Sequence, residues 1–148
     1  METCSICLDE IRENERYELL RCSHFYHKKC ILQWLEKSNT CPECRRSIIN
    51  IFTIETKKYG FKEKNILEID YLYLKVYDRD FDKLKFKLLI GNIYNVKVMC
   101  NKLIIQYYYE NKNKIKSKSI FFKDQHYSIS FYKLLQNVHQ HFLNRYVE

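Results

Sequence analysis

The sequence predicts an α+β protein built from two units. Residues 1–48 form a small metal-stabilised unit, and residues 49–148 form a basic, β-rich unit with an antiparallel sheet and a C-terminal helix. Three observations carry this prediction. Six of the seven cysteines lie between Cys4 and Cys44, strand-like alternation dominates the middle of the chain, and a helical repeat of apolar residues closes it. Charge divides the chain at the same place, because residues 1–50 are neutral and residues 51–148 account for the whole formal charge of +8.

The cysteines favour metal binding over disulfide formation. The first residues, METCSICLDE, carry acidic side chains where a secretion signal needs a basic and then an apolar stretch. No apolar run approaches the roughly 20 residues that a membrane span requires. We therefore expect an intracellular protein, cytoplasmic or nuclear, with no membrane partner. Thiols stay reduced in such a compartment.

Eight Cys and His residues follow the spacing C-x2-C-x14-C-x-H-x2-H-x2-C-x10-C-x2-C. Eight ligands satisfy two tetrahedral ions, and a set of thiolates and imidazoles suits zinc. A unit of this size buries too little apolar surface to fold securely without such ions. The alternatives are buried cysteines, a redox pair or a catalytic Cys/His couple, but the surroundings lack the βαβ pattern of redox proteins. The eight predicted ligands are Cys4, Cys7, Cys22, His24, His27, Cys30, Cys41 and Cys44.

From Cys4 to about Ile48 the chain resembles the RING fingers of the two-histidine type. The likeness rests on the eight ligands and on the stretches CSICLDE, HFYHKKCILQWL and TCPECRR. It implies a cross-brace with two structural zinc ions, in which alternate ligand pairs share an ion. The first ion would take Cys4, Cys7, His27 and Cys30, and the second would take Cys22, His24, Cys41 and Cys44.

The same resemblance implies a function and the residues that perform it. Ile6, Trp34 and Pro42 match the positions that receive a ubiquitin-conjugating enzyme, and Arg45 matches the cation that bridges this enzyme and ubiquitin. A guanidinium suits that role because it donates several hydrogen bonds in a fixed fork, and Arg46 offers the same chemistry. The residues alone also allow a plainer interpretation, in which Trp34 fills a small core and Arg45 is a solvated side chain.

The prediction is thus a RING-type ubiquitin ligase that promotes transfer of ubiquitin to a substrate lysine, without a covalent intermediate on this chain. The alternatives are a zinc-dependent interaction module without ligase activity and a basic nucleic-acid-binding protein. The nucleic-acid alternative rests on the net charge, the thirteen tyrosines and a lysine cluster formed by Lys112, Lys114, Lys116 and Lys118.

The sequence of the second unit predicts its secondary structure but resembles no family that we recognise. FDKLKFKLLI alternates apolar and basic residues, residues 66–77 and 102–110 are rich in β-branched and aromatic residues, and residues 111–114 predict a hairpin. Gly91 and Asn92 predict another hairpin turn. Apolar residues recur at helical spacing over residues 129–145. We expect this unit to recruit a protein substrate or partner, and we expect Cys100 to be a small buried apolar residue.

Overall fold

A computed structural model describes residues 2–19, 22–48, 50–109 and 113–146. The first unit contains a 3-10 helix over Glu13–Glu15, strands β1 (Arg16–Glu18) and β2 (Phe25–His27), and helix α1 (Lys28–Leu35). β1 and β2 form an antiparallel pair in which Tyr17 lies opposite Tyr26. Helix α1 follows β2 directly and buries Ile31, so its position depends on that hairpin.

The second unit is a seven-stranded antiparallel sheet followed by one long helix. The strands pair in the order β6-β5-β4-β3-β9-β8-β7. Helix α2 spans Gln125–Tyr146, four residues longer at its start than the predicted 129–145. In the described parts of the chain, no helix is long and apolar enough to cross a membrane. The strands are β3 (Ile51–Lys58), β4 (Phe61–Ile69), β5 (Tyr73–Tyr77), β6 (Leu84–Leu89), β7 (Ile93–Met99), β8 (Lys102–Tyr109) and β9 (Lys114–Phe121).

The sheet curls so that its two ends approach each other. β3 pairs with β9 at a single position, where Glu55 lies opposite Phe121. The ring of Phe86 on edge strand β6 lies 5.5 Å from that of Tyr107, which is on β8 near the other edge. Helix α2 places Phe131 and Leu135 in the same apolar cluster as the buried residues of the strands. The predicted antiparallel sheet with a C-terminal helix is therefore confirmed.

Two connections test the predicted hairpins. The one after β8 is confirmed, because β8 and β9 pair from Tyr109 opposite Lys114. Residues 110–112, which include Lys112, lie outside the described residues. The hairpin at Gly91 and Asn92 is wrong. A 3-10 helix over Ile90–Asn92 instead leads the chain from one edge of the sheet to the other. Gly91 is needed there because a Cβ atom would overlap the ring of Phe142.

The strand-like stretch 66–77 divides between two strands at Asp70. The Asp70 carboxylate accepts hydrogen bonds from the backbone N–H groups of Leu72 and Tyr73, at 2.8 and 2.7 Å. A short acidic side chain that bonds the backbone two and three residues on stabilises a tight turn. β4 and β5 thus become neighbours in the sheet, from Ile69 opposite Leu74.

The two units share a buried cluster. Tyr17 and Ile48 of the first unit belong to the same cluster as Ile51, Ile66 and Phe81 of the second. Since β3 begins at Ile51, only two residues after the predicted boundary, the first unit continues into the sheet without a linker.

Phe81 is the centre of this contact. It is 4% exposed, and its ring meets those of Tyr17 and Tyr77 edge-on, with centroids 5.3 and 4.7 Å away. Beside it, the amide of Asn50 donates a hydrogen bond to the Tyr17 hydroxyl at 2.9 Å. Burial and the nearby Glu68 carboxylate raise the pKa of Tyr17 well above its ordinary value. The Tyr17 hydroxyl therefore stays neutral. It is hydrogen-bonded to Asn50 within a contact that is otherwise formed by apolar and aromatic side chains.

We predict that Phe81→Ala lowers the free energy of unfolding by about 3 kcal/mol, because it empties a buried site between the units. Chemical denaturation followed by tyrosine fluorescence and circular dichroism measures this loss. Phe61→Ala is the matched control, since Phe61 is 79% exposed and its truncation should change stability by less than about 0.5 kcal/mol. Equal losses in the two variants would contradict a shared core.

Candidate metal centres and partner surface

The first cluster of ligands brings together Cys4, Cys7, His27 and Cys30. One donor atom from each lies within 4.8 Å of all the others. The Nδ1 atom of His27 is 3.3 Å from the Cys7 sulfur and 3.8 Å from the Cys30 sulfur. A chain distance of 26 residues is closed in this way, which a unit with so small a core could not do by apolar packing alone.

The second cluster brings together Cys22, His24, Cys41 and Cys44, again with all donor atoms within 4.8 Å. Nδ1 of His24 lies 3.3 Å from the Cys41 sulfur. The fully buried Tyr26 fills the space beside this cluster, with its hydroxyl 3.1 Å from the same sulfur. The two clusters interleave along the chain, as the resemblance implied, and the cross-braced fold is confirmed.

Both histidines present Nδ1 to the cysteines, and in both the other ring nitrogen has a partner. Nε2 of His27 donates to the Glu10 carbonyl at 2.9 Å, and Nε2 of His24 lies 3.2 Å from the Glu43 carboxylate. Such partners fix the tautomer and orientation of metal-binding imidazoles. The histidines are therefore prepared to offer an Nδ1 lone pair to an ion.

Two equivalent turns carry the cysteine pairs. The N–H of Cys4 donates to the Asp9 carbonyl at 2.9 Å, and that of Leu8 donates to the Cys4 carbonyl at 2.7 Å. The second turn repeats this pattern: the N–H of Cys41 donates to the Arg46 carbonyl at 2.8 Å, and the N–H of Arg45 donates to the Cys41 carbonyl at 2.9 Å. Leu8 and Arg45 occupy the same place in their turns and have positive φ values of 69° and 62°.

Each cluster contains one thiol that ionises readily. Burial by itself would raise the pKa of Cys4, but backbone hydrogen bonds from His27, Cys7 and Ile6 outweigh it and lower that pKa to about 6. Backbone bonds from Cys44 and Glu43, with the Tyr26 hydroxyl, likewise outweigh burial and lower the pKa of Cys41 to about 6. A thiolate is the form that binds zinc, so each cluster offers one near neutral pH.

These donor sets fit two structural zinc ions. Each has four ligands, and thiolate with imidazole is the combination found in structural zinc sites. Three of the four donors come from cysteine in each cluster. Four protein ligands complete a tetrahedral shell and leave no position for water or substrate. Zinc at either centre would therefore stabilise the fold rather than take part in a reaction.

The residues predicted to contact a conjugating enzyme lie around these centres. Ile6 and Trp34 pack against the shared cluster and remain half-buried, and Pro42, next to Cys41, is also half-buried. The indole Nε1 of Trp34 donates to the Thr40 carbonyl at 2.6 Å, which fixes the ring. Leu8, which the sequence did not single out, is an apolar residue that is 77% exposed two residues after Ile6. Its exposure follows from the turn geometry, which the spacing of ligands does not reveal.

Arg45 is exposed at the end of the second cysteine turn. Its backbone is fixed by the hydrogen bond to Cys41, and its side chain extends into solvent from that fixed point. Arg46 is also exposed, and its backbone carbonyl accepts the hydrogen bond from the Cys41 N–H. The roles predicted for Ile6, Trp34, Pro42 and Arg45 remain predictions.

Two further expectations concern the second unit. Cys100 is exposed, so the expectation of a buried residue is wrong; it occupies the tight turn between β7 and β8 with a φ of 54°. In the lysine cluster, the Lys116 ammonium lies 3.8 Å from the Tyr109 ring centroid and that of Lys118 lies 5.1 Å from Phe86. Burial lowers the pKa of Lys118. Aromatic rings of the protein itself thus engage two of these cations.

The fold and donor sets of the first unit define a cross-braced, two-zinc Cys/His domain. The family model described as the ring finger domain matches residues 2–45, so the resemblance is confirmed for this part of the chain. The RNF181 homolog of Drosophila melanogaster, an E3 ubiquitin-protein ligase, is 48% identical over 42 residues, which make up 28% of this chain and 29% of that protein. The mouse E3 ubiquitin-protein ligase RLIM is 44% identical over 50 residues, 34% of this chain and 8% of that protein.

The matched stretches therefore span less than a third of these relatives' own length. A solved structure, the complex of the FERM and C-terminal domains of Drosophila Merlin, is similar over 65% of this chain and 30% of that one. Its TM-score is 0.55 at 24% sequence identity. Because the ring finger occupies only residues 2–45, this likeness extends into the sheet unit, and it concerns the fold alone.

We predict two zinc ions per chain, measured by atomic emission on the purified protein. Cys7→Ser should lower the zinc content and the melting temperature, because it removes one ligand from the first centre. Cys100→Ser is the matched control, since Cys100 belongs to neither cluster and should leave both quantities unchanged. Retention of two ions in Cys7→Ser would contradict the assignment of the first centre.

Proposed function

We propose that the protein is a ubiquitin ligase that binds a ubiquitin-charged conjugating enzyme and promotes transfer of ubiquitin to a substrate lysine. The observation that carries the proposal is the pair of interleaved zinc-binding clusters in a segment similar to those of E3 ubiquitin-protein ligases. The reactive thioester belongs to the conjugating enzyme. The protein acts by positioning, and it works in the reducing compartment that its free cysteines require.

The conjugating enzyme binds a small apolar surface made of Ile6, Trp34 and Pro42, which we extend to Leu8. Trp34 is the anchor, because its indole is fixed by the bond to Thr40 and is only half-buried. A rigid aromatic side chain loses little conformational entropy on binding, and such residues dominate the energy of protein interfaces.

Arg45 positions ubiquitin against the conjugating enzyme. The cysteine turn holds its backbone, and the guanidinium can donate several hydrogen bonds at once to carbonyl groups of both partners. Confining the thioester to a reactive pose removes orientational entropy from the step in which the substrate lysine attacks. Zinc supports this geometry by holding the turn at Cys41 and Cys44.

We predict that Trp34→Ala weakens binding of the conjugating enzyme by roughly thirtyfold, as expected for loss of an aromatic anchor. Isothermal titration with a panel of conjugating enzymes measures this change. Tyr94→Ala serves as the control, because Tyr94 is a 54% exposed aromatic residue of the sheet unit. If zinc content is unchanged and Trp34→Ala binds like the wild type, the protein is better described as an interaction module without this partner.

We predict that Arg45→Ala slows discharge of the ubiquitin thioester to free lysine by roughly tenfold to a hundredfold, while binding of the uncharged enzyme changes little. Single-turnover gel assays measure the rate. Arg12→Ala is the matched control, because Arg12 is an exposed arginine outside both cysteine turns. An equal rate in the two variants would remove Arg45 from the mechanism, and absence of discharge by the wild type across the panel would refute the proposed activity.

A further inference from the structure

A cleft of about 1110 Å³ lies between the ring finger and the sheet. Helix α1 forms one wall through Lys29 and Leu32, and residues 79–82 close one end. β3 forms the floor with Thr53 and Glu55, while Phe121 at the end of β9 and Lys123 after it form the opposite wall. The cleft exists because the shared core around Phe81 holds the two units together.

The backbone of β3 at Thr53 faces this cleft without a partner among the described residues. The Asn50 carbonyl accepts a hydrogen bond from Ile69, so even-numbered residues of β3 direct their backbone groups toward β4. Odd-numbered residues point the other way, as Glu55 shows by pairing with Phe121 on β9. Thr53 shares that direction, but β9 ends at Phe121, and no described residue pairs with the Thr53 N–H or C=O.

The open edge at Thr53 is a site for strand addition. An extended peptide could accept a hydrogen bond from the Thr53 N–H and donate one to its carbonyl, which is how chains join exposed sheet edges. Thr53 is exposed, so the approach is open. The edge is short because β9 pairs with β3 at Glu55, two residues further along the strand.

Charge defines which peptide fits. Lys29, Lys64 and Lys123 line the cleft and are exposed. At its end, the ammonium groups of Lys57, Lys62 and Lys102 all lie within 5.9 Å of the Phe121 ring centroid. The Glu55 carboxylate lies 3.7 Å from the Lys62 ammonium and offsets part of the repulsion among these lysines. An anionic group of a ligand placed beside them would relieve the rest. Alternate side chains of a bound strand would carry acids to these cations.

We propose that this cleft binds an extended acidic segment of a protein, which pairs with Thr53 as an added strand. The assignment of this segment to a substrate rests on the proposed ligase function. The binding of an acidic segment in the cleft does not depend on that function. Nucleic acid fits less well, because Glu36, Glu55, Asp80 and Asp82 also line the cleft and would meet a phosphate at every nucleotide, whereas an extended peptide can place neutral residues opposite them. A polypeptide can satisfy these acids and the Thr53 peptide group together.

The test is fluorescence anisotropy with the full chain and short labelled peptides. The probe alternates Glu with Thr and Val, and its partners are the same peptide with Lys for Glu, a backbone N-methylated version, and single-stranded oligothymidine of equal charge. We expect the acidic peptide to bind more tightly than the lysine peptide, the oligothymidine and the N-methylated peptide. The last comparison tests the backbone pairing without altering the protein.

Variants locate the binding. The double variant Lys64→Glu, Lys123→Glu should weaken it roughly tenfold, while Lys97→Glu on β7, outside the cleft, should change it less than twofold. Thr53→Pro removes the open N–H and should weaken binding about threefold to tenfold, whereas Thr53→Ala retains that N–H and should bind like the wild type. Melting curves and zinc content establish that each variant is folded.

The outcomes separate the possibilities. If oligothymidine binds more tightly than the acidic peptide and loses binding in the lysine variants, the cleft is a nucleic-acid site and the proposal is wrong. If N-methylation and Thr53→Pro both leave peptide affinity unchanged, strand addition is wrong. Trp34→Ala should weaken ubiquitin transfer but leave peptide binding intact, so failure of the ligase activity and failure of this proposal are distinguishable.

Discussion

The structure of the ring finger depends on the tetrahedral arrangement of four donors around each zinc centre. Residues as distant as Cys4 and Cys30 meet there, and the backbone between them must turn in a prescribed way to deliver their side chains. The cysteine turns, with positive φ at Leu8 and Arg45, are the consequence. Helix α1 begins directly after the ligand His27 and contains the ligand Cys30, so coordination also fixes the helix that carries Trp34. The proposed partner surface is thus positioned by the metal rather than by a large core.

A second constraint joins this unit to the sheet. The edge-on packing of Phe81 with Tyr17 and Tyr77 excludes water from the contact, and Asn50 satisfies the Tyr17 hydroxyl within it. Burial of aromatic surface makes such a contact rigid, because separation would expose both the rings and the hydrogen bond to water. The cleft beside β3 has a defined shape only because this contact holds one of its walls in place.

Local signals in the sequence predicted the eight ligands, the sheet class and the C-terminal helix, because spacing and periodicity are local properties. The division of the ligands between two ions came from the resemblance to the RING fingers. The errors lie where distant packing decides. Gly91 and Asn92 have the composition of a hairpin turn, but the ring of Phe142 determines the path of the chain there. Phe81 belongs to no periodic pattern, so its place between the units could not be predicted. The open edge at Thr53 depends on where β9 diverges from β3, which involves residues almost seventy positions apart.

Helix α1 connects the two proposed sites. It is only eight residues long, and Lys29 and Leu32 line the cleft while Trp34 belongs to the proposed enzyme-binding surface. A polypeptide bound in the cleft would therefore lie within about two helical turns of the side chain that anchors the conjugating enzyme. Such proximity raises the local concentration of substrate lysines near the thioester without a change of conformation, since tethering alone increases effective concentration. If both proposed sites are occupied, the packing around Phe81 would favour this arrangement, because a mobile joint would spread those lysines over a larger volume.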